Sequence, residues 1–232
     1  RACKSRGPGR ISLPLLQIKL KYRRMASRKY TASKRLSQVL DRQQRVAAVT
    51  AELHAEKGPL ATSYADVAER AGVSLPTVYS YFPTQDALMR ACTSHVAAGA
   101  PELPHQAILG APDLCQAASR LVVAMDRLHA HFEPWFAWRA DAAIPFLAQL
   151  RAANRDRLLV FLRLLLSLHR DGSQTACAAA WESLLSFDLW HRLVRQHALP
   201  RTRVRVLLTD LLLSALGPES ATSLQSGPRS RP

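Results

Sequence analysis

A chain of 232 residues with 48% hydrophobic and 6% aromatic content is long enough to bury a sizeable core, in one large domain or two small ones, which excludes a disordered or fibrous class. Its four cysteines, Cys3, Cys92, Cys115 and Cys177, form neither a CxxC pair nor a metal-ligand spacing, so a disulfide framework is not expected and a reduced, cytoplasmic setting fits best. The formal net charge of +15 is unevenly placed: 12 Lys and Arg fall in residues 1–40, where Asp and Glu are absent, leaving +3 for the rest.

That basic stretch reads in two ways, as an arm attracted to a polyanion or as a solvated tail. Within it, ISLPLLQIKL is too short, and too interrupted by Pro14 and Gln17, for a membrane span, and no small-residue cleavage site follows it. Residues 1–24 precede the first methionine, Met25, and are set apart from the fold as an upstream extension, a translated leader or a cloning remnant; residues 1–40 as a whole are expected to be a disordered arm. The first helix is predicted over 41–57, because Val46, Val49 and Leu53 recur at helical spacing between Asp41 and the breaker Gly58-Pro59. A second follows Ser63, with the stripe Tyr64, Val67, Ala68 and Ala71, a capping-box start from Asp66 and a left-handed stop at Gly72. A third starts near Ser74, where first-turn Pro76 is tolerated, and stops near Phe82-Pro83. A fourth, capped by Thr84, runs to Ala98 and is expected to bury Leu88, Ala91, Cys92 and His95. These helices form the unit 41–98.

On a helical wheel of about 100° per residue, Leu75, Val78 and Phe82 fall on one side of the third helix. Pro76, Thr77, Ser80 and Tyr81 then point outward, with Tyr79 on the flank. A capped helix, a Gly-containing turn and a short second helix have the dimensions of a helix-turn-helix, although an ordinary helical hairpin would look similar. The sequence TSYADVAERAGVSLPTVYSYFPTQDAL, residues 62–88, goes further. It resembles the DNA-binding domain of the TetR family of bacterial transcription regulators, whose pattern is a capped IA-x-x-AGVS helix followed by a T-x-Y-x-[HY]-F recognition helix. Val67, Ala68, Ala71, Gly72, Val73, Ser74, Thr77, Tyr79, Tyr81, Phe82 and Leu88 occupy the pattern's positions. The resemblance implies that Ser63 and Tyr79 meet phosphates, that Leu75, Pro76 and Thr77 approach base edges beside Ser74, and that Tyr81 fixes the helix against the DNA backbone. The wheel adds Ser80. Gln85 departs from the lysine usual at the start of the fourth helix, and the arm residues Arg28, Lys29, Lys34 and Arg35 are expected to replace that charge.

The stretch 99–113 holds two Gly and three Pro and reads as a linker or broken helix ahead of a second domain over 99–216. Helices are predicted over 114–132, 135–144, 146–171, 174–197 and 201–216, and residues 217–232 as a disordered tail. The expected fold class is therefore all-α: an N-terminal helix-turn-helix domain and a C-terminal helical ligand-binding and dimerisation domain. Aromatic bulk with polar handles makes Met125, His129, Phe132, Trp135, Trp138, Arg139 and Phe146 candidates to line a small-molecule effector site, with plain packing as the alternative. His129 and His131 lie two apart, on different helix faces, so no metal is expected, and no cofactor is called for. By the resemblance, the last two long helices pair between subunits of a homodimer; Trp181, Leu184, Leu185, Leu189, Leu208, Leu211 and Leu212 are the interface candidates, with intrachain core as their alternative. The resulting expectation is a regulator of repressor type that binds a palindromic double-stranded operator and is released by a small, largely apolar ligand. Two rivals are weighed against it. No nucleophile elbow, HExxH, phosphate-cradling Gly loop or Cys-His signature supports an enzyme, whereas Gln85 favours a protein-interaction adaptor with a degenerate helix-turn-helix.

Overall fold

The computed structural model describes residues 13–216, with side chains from Lys34 onward; the expected tail over 217–232 lies outside the described residues. Among the described residues all regular structure is helical. The chain divides between Val46 and Ala47 into two units.

The first unit is the N-terminal part of a long helix, α1, Leu13–Lys57. Its start corrects the expected disordered arm, since residues 13–40 are helical and Asp41, taken as the helix start, lies mid-helix. The reason is local: between Pro14, tolerated in the first turn, and Gly58 there is no Gly or Pro, and Ala, Leu, Lys, Arg and Gln propagate helix well. Lys34, Arg35, Leu36 and Leu40 on this segment are exposed; Arg28 and Lys29 belong to the stretch whose side chains lie outside the described residues.

The second unit opens with the last turns of α1, which bury Ala47, Val49, Ala51 and Leu53. The helix ends at Lys57 because Gly58 adopts a left-handed φ of 81° and Pro59 cannot donate; a 3₁₀ turn, Pro59–Ala61, follows. Helix α2, Tyr64–Ala71, starts in the predicted capping box: the Ser63 hydroxyl accepts from the Asp66 amide and the Asp66 carboxylate accepts from the Ser63 amide. Gly72 closes it at φ 65°, its amide reaching the Ala68 and Glu69 carbonyls. Helix α3, Leu75–Tyr81, is capped by Ser74, and α4, Gln85–Ala98, by Thr84. The buried face of α4 is Leu88, Met89, Cys92 and Val96, which corrects two of the expected four: Ala91 is half-buried and His95 exposed, because the stripe runs i, i+4, i+8 from Leu88.

The expected linker holds a short helix, α5, His105–Leu109, that buries Ile108 completely. Helix α6, Leu114–Phe136, continues through Pro134, where a stop is predicted; the proline falls in the last turn, where it removes only the bond to the Ala130 carbonyl, and the Ala137 amide still reaches Glu133. The predicted helix over 135–144 is replaced by a bend at Arg139, φ 50°, and a 3₁₀ turn, Ala140–Ala142. Helix α7 spans Pro145–Ser167. The single helix predicted over 174–197 is broken into α8, Thr175–Leu184, α9, Phe187–His191, and a π-helical turn, Arg192–Gln196. Ser186 makes the break by capping α9. Helix α10 is Arg201–Ser214.

The core of this half collects Leu121 and Val122 of α6, Leu162, Leu165 and Leu166 of α7, Trp181 of α8 and Val204, Leu208 and Leu212 of α10. Four proposed interface residues, Trp181, Leu185, Leu208 and Leu212, are therefore corrected to intrachain core, at 0%, 2%, 3% and 0% exposure. Burying Trp181 is possible because its indole donates to the Leu212 carbonyl at 2.8 Å. A polar latch lies beside this core. Asp126 of α6, buried, accepts from Arg201 Nε at 2.9 Å, Arg205 Nε at 2.7 Å and Trp190 Nε1 at 2.8 Å, tying α6 to α9 and α10.

Candidate nucleic-acid interface

The two-helix unit presents α3 as predicted from behind. Val78 is fully buried and Phe82 nearly so, and each contributes roughly 1.5–3 kcal/mol of apolar burial to holding the helix in place. Leu75, expected on the same inward side, is instead 40% exposed; it is the first residue of α3, where the wheel's inner side has already left the core. The outer surface of α3 consists of exposed Leu75, Pro76, Tyr79 and Ser80, with Thr77 and Tyr81 half-buried beside them.

Tyr64 is the residue that sequence reasoning missed. Its spacing marks an apolar stripe position, yet its ring stacks on Tyr79, centroids 4.5 Å apart and 8° from parallel, while its hydroxyl donates to the Phe82 carbonyl at 3.0 Å. One side chain at the start of α2 thus brackets both ends of α3's exposed turn. Nothing in the spacing of Tyr64 and Tyr79 announces this, because the stack depends on how α2 crosses α3.

The hydroxyls divide by role. Ser74 and Thr77 share a hydrogen bond between their Oγ atoms at 2.7 Å, so the pair carries one hydroxyl proton outward or along the helix. Ser63 departs from the expected phosphate contact: its amide and its hydroxyl both donate to Asp66 Oδ2 at 2.7 Å, which leaves it no donor for an anion while that arrangement holds. Gln85 is exposed at the first position of α4.

Two ion pairs flank the unit. Glu56 of α1 binds Arg70 of α2 through two bonds of 2.8 and 2.9 Å, and Lys57 reaches Asp66 at 2.8 Å. Hydrogen bonds from Lys57 and Ser63 hold the Asp66 carboxyl well below its ordinary range. Beneath them, His54 and Cys92 lie buried with Nδ1 and Sγ 3.5 Å apart. Burial pushes His54 down to about 4 and Cys92 up to about 12, so both are neutral at ordinary pH and the thiol is not a nucleophile.

The seven effector candidates are not brought together. His129 is core, its Nε2 2.8 Å from the Leu185 carbonyl, and Met125 packs against the same core. Phe132 and Trp135 pack against Ala51, Cys92 and Val96, and Phe146 is buried with Met89, Ala140 and Ile144. Trp135 and Trp138 serve as donors to α1, to the Ala51 carbonyl at 2.8 Å and the Ala55 carbonyl at 3.2 Å. Arg139 lines a surface pocket of about 220 Å³ with Phe136, Phe187, Asp188, His191 and Arg192. Within α6 the candidates already part, Met125 and His129 toward one core and Phe132 and Trp135 toward α1 and α4, and the bend at Arg139 separates Phe146 from both. Among the described residues no group of His, Cys, Asp and Glu could hold a metal ion, and no helix is long and apolar enough to cross a membrane.

Residues 47–92, from the end of α1 to the middle of α4, match the family model for bacterial regulatory proteins of the tetR family. No curated protein matches the chain. Among solved structures, the fold is similar to a transcriptional regulator from Rhodococcus sp. RHA1 at 23% identity, covering 75% of this chain and 95% of that one with a TM-score of 0.57. A TetR-like transcriptional regulator from the same organism gives 20% identity, 75% and 95% coverage and a TM-score of 0.56. The multidrug binding protein EbrR, solved with imidazole, gives 23% identity, 74% and 89% coverage and 0.55. Residues 47–92 thus carry a helix-turn-helix segment of the tetR-family type, within a fold similar to that of these regulators.

Proposed function

We propose that the protein is a cytoplasmic, ligand-responsive repressor that binds a palindromic operator as a homodimer through α3. The observation that carries this reading is the exposed surface of α3, with Leu75, Pro76, Tyr79 and Ser80 outward and Val78 and Phe82 anchored behind, on a unit that matches the family model. In the major groove, base edges and phosphates offer acceptors to the hydroxyls of Thr77, Tyr79 and Tyr81. A palindrome requires two copies with recognition helices roughly 34–36 Å apart. With Trp181, Leu185, Leu208 and Leu212 buried in the core, Leu184, Leu189 and partly exposed Leu211 are the candidates for the subunit contact. An effector releases DNA if it binds the DNA-incompetent state more tightly, by about 1–3 kcal/mol for ordinary coupling.

The test is a footprint and mobility shift on the region upstream of the protein's own gene at two salt concentrations. Selective, salt-sensitive protection of two symmetric half-sites is expected. Thr77→Ala and Tyr79→Phe should each weaken specific binding by about 1–3 kcal/mol while leaving far-UV circular dichroism unchanged. Tyr79→Phe keeps the stack on Tyr64, so its loss reports the hydroxyl alone. Binding without sequence preference would instead support an adaptor with a degenerate helix-turn-helix, the reading that Gln85 favours.

A further inference from the structure

The surface pocket beside Arg139 has features that the reading above does not use. Two aromatic rings line it, Phe136 at the end of α6 and Phe187 at the start of α9, centroids 5.3 Å apart and nearly perpendicular, with Phe136 also stacked on Phe132. Arg139, also in the lining, donates to both carboxylate oxygens of Asp188 at 2.8 and 3.3 Å. Both partners are substantially exposed, 63% and 42% by side chain, so this pair is held weakly and exchanges readily with another carboxylate. Arg192 adds a second cation to the lining, giving two arginines to one acid. Two departures from regular backbone build the wall. Arg139 sits at φ 50°, a left-handed conformation uncommon for a residue with a side chain, and Arg192 begins a π-helical turn, a distortion that recurs at functional sites.

The same bend also holds the DNA-binding domain. Ala55, near the end of α1, has no intrahelical partner for its carbonyl, because the residue four positions on is Pro59. Trp138 Nε1 supplies the missing donor at 3.2 Å, and its ring packs on Gly58. One residue further along the same turn of α1, Glu56 and Lys57 grip Arg70 and Asp66 of α2. Arg139, in the pocket lining, is the next residue after Trp138.

We propose that this pocket binds a small aromatic monocarboxylate, whose ring packs beside Phe136 and Phe187 and whose carboxylate takes the Arg139 fork from Asp188, and that Trp138 transmits occupancy to α1 and α2. The proposal rests on the reading of the protein as a ligand-responsive regulator, and it names the ligand class and the route. A guanidinium matches a carboxylate through two parallel hydrogen bonds, so a neutral amide of the same shape binds less well. A volume of about 220 Å³ lies below the range common for drug-sized ligands, which limits the ligand to one or two rings.

The probe is 1-naphthoate, with 1-naphthamide as its neutral counterpart, titrated by calorimetry into the full chain without DNA. Saturable binding of the acid is expected, with the amide at least about tenfold weaker, as follows from losing a bidentate charged contact. Arg139→Ala should abolish the preference for the acid. Asp188→Asn should tighten binding by removing the competing carboxylate, a gain that a misfolded variant cannot produce. Equal binding of acid and amide, or weaker binding to the Asp188→Asn chain, overturns the site. In a second arm, naphthoate should lower affinity for the footprinted DNA by about tenfold, and Trp138→Phe should keep naphthoate binding but remove most of that effect. Full retention of the effect in Trp138→Phe, or naphthoate binding without any effect on DNA affinity, overturns the route. If the chain binds no specific DNA, the regulator reading fails by itself while the calorimetric arm still decides the site.

Discussion

Replacing Asp126 by alanine removes the acceptor shared by α6, α9 and α10. Four hydrogen bonds end on this carboxylate: two from Arg201 at 2.9 and 2.8 Å, one from Arg205 Nε at 2.7 Å and one from Trp190 at 2.8 Å. The partners respond unequally. The arginine side chains are 41% and 32% exposed and regain water once released, whereas Trp190 is 1% exposed and its indole N–H is left unsatisfied. Breaking a buried ion pair costs roughly 3–5 kcal/mol, and the solvent access of both arginines places this case at about 3 kcal/mol. Urea unfolding followed by tryptophan fluorescence, at one fixed protomer concentration, should show a midpoint lower by about 1–2 M. The pH dependence gives a second readout. Burial opposes ionisation of Asp126, but hydrogen bonds from Arg201, Trp190 and Arg205 more than offset it and hold the carboxyl below its ordinary 3.8. The unfolded chain therefore takes up the proton first, so the contribution is present above pH 3.8 and fades as pH falls through the folded value. The gap between wild type and variant should narrow in acid. A midpoint change under about 0.5 M, or a gap that widens in acid, would refute the latch.

Three further outcomes follow from named contacts. His54, lowered by burial from 6.5 to about 4, makes the unfolded chain the better base, so stability present above pH 6.5 should fall by up to about 3 kcal/mol toward pH 4. His129 is depressed in the same direction, so the difference between wild type and His54→Leu isolates His54; identical pH slopes in thermal melts would contradict this. Gly58 and Gly172 share a φ of 81°, but a Cβ at Gly58 would lie 2.9 Å from the Trp138 ring while one at Gly172 meets nothing within 4 Å. Gly172→Ala should cost about 1 kcal/mol, the backbone penalty alone, and Gly58→Ala clearly more, a difference read from paired denaturation curves. Tyr64→Phe, which removes the hydroxyl bond to Phe82 but keeps the stack, should lose about 1 kcal/mol of stability, and Tyr64→Ala should additionally loosen α3 and weaken operator binding measured by mobility shift.

The helix-turn-helix was legible in the chain because its signals are local. Ser63 with Asp66, Gly72 at φ 65° and Ser74 ahead of Pro76 each settle a helix end within four residues, and Val78 and Phe82 bury themselves by the helical period alone. The charge imbalance of residues 1–40 was equally plain, but its conformation was not: lack of acid suggested an arm, while lack of Gly and Pro allowed α1 to begin at Leu13. What tertiary structure decided were contacts between distant elements. Trp181 could serve an interface or a core until α10 offered the Leu212 carbonyl to its indole, and Trp138 could line a cavity until Pro59 left the Ala55 carbonyl without an amide. Tyr64 and Asp126 belong to the same class, since a stack across two helices and an acid shared by three have no periodic trace. A repeat along one helix records which side is inward; only packing decides which partner waits there.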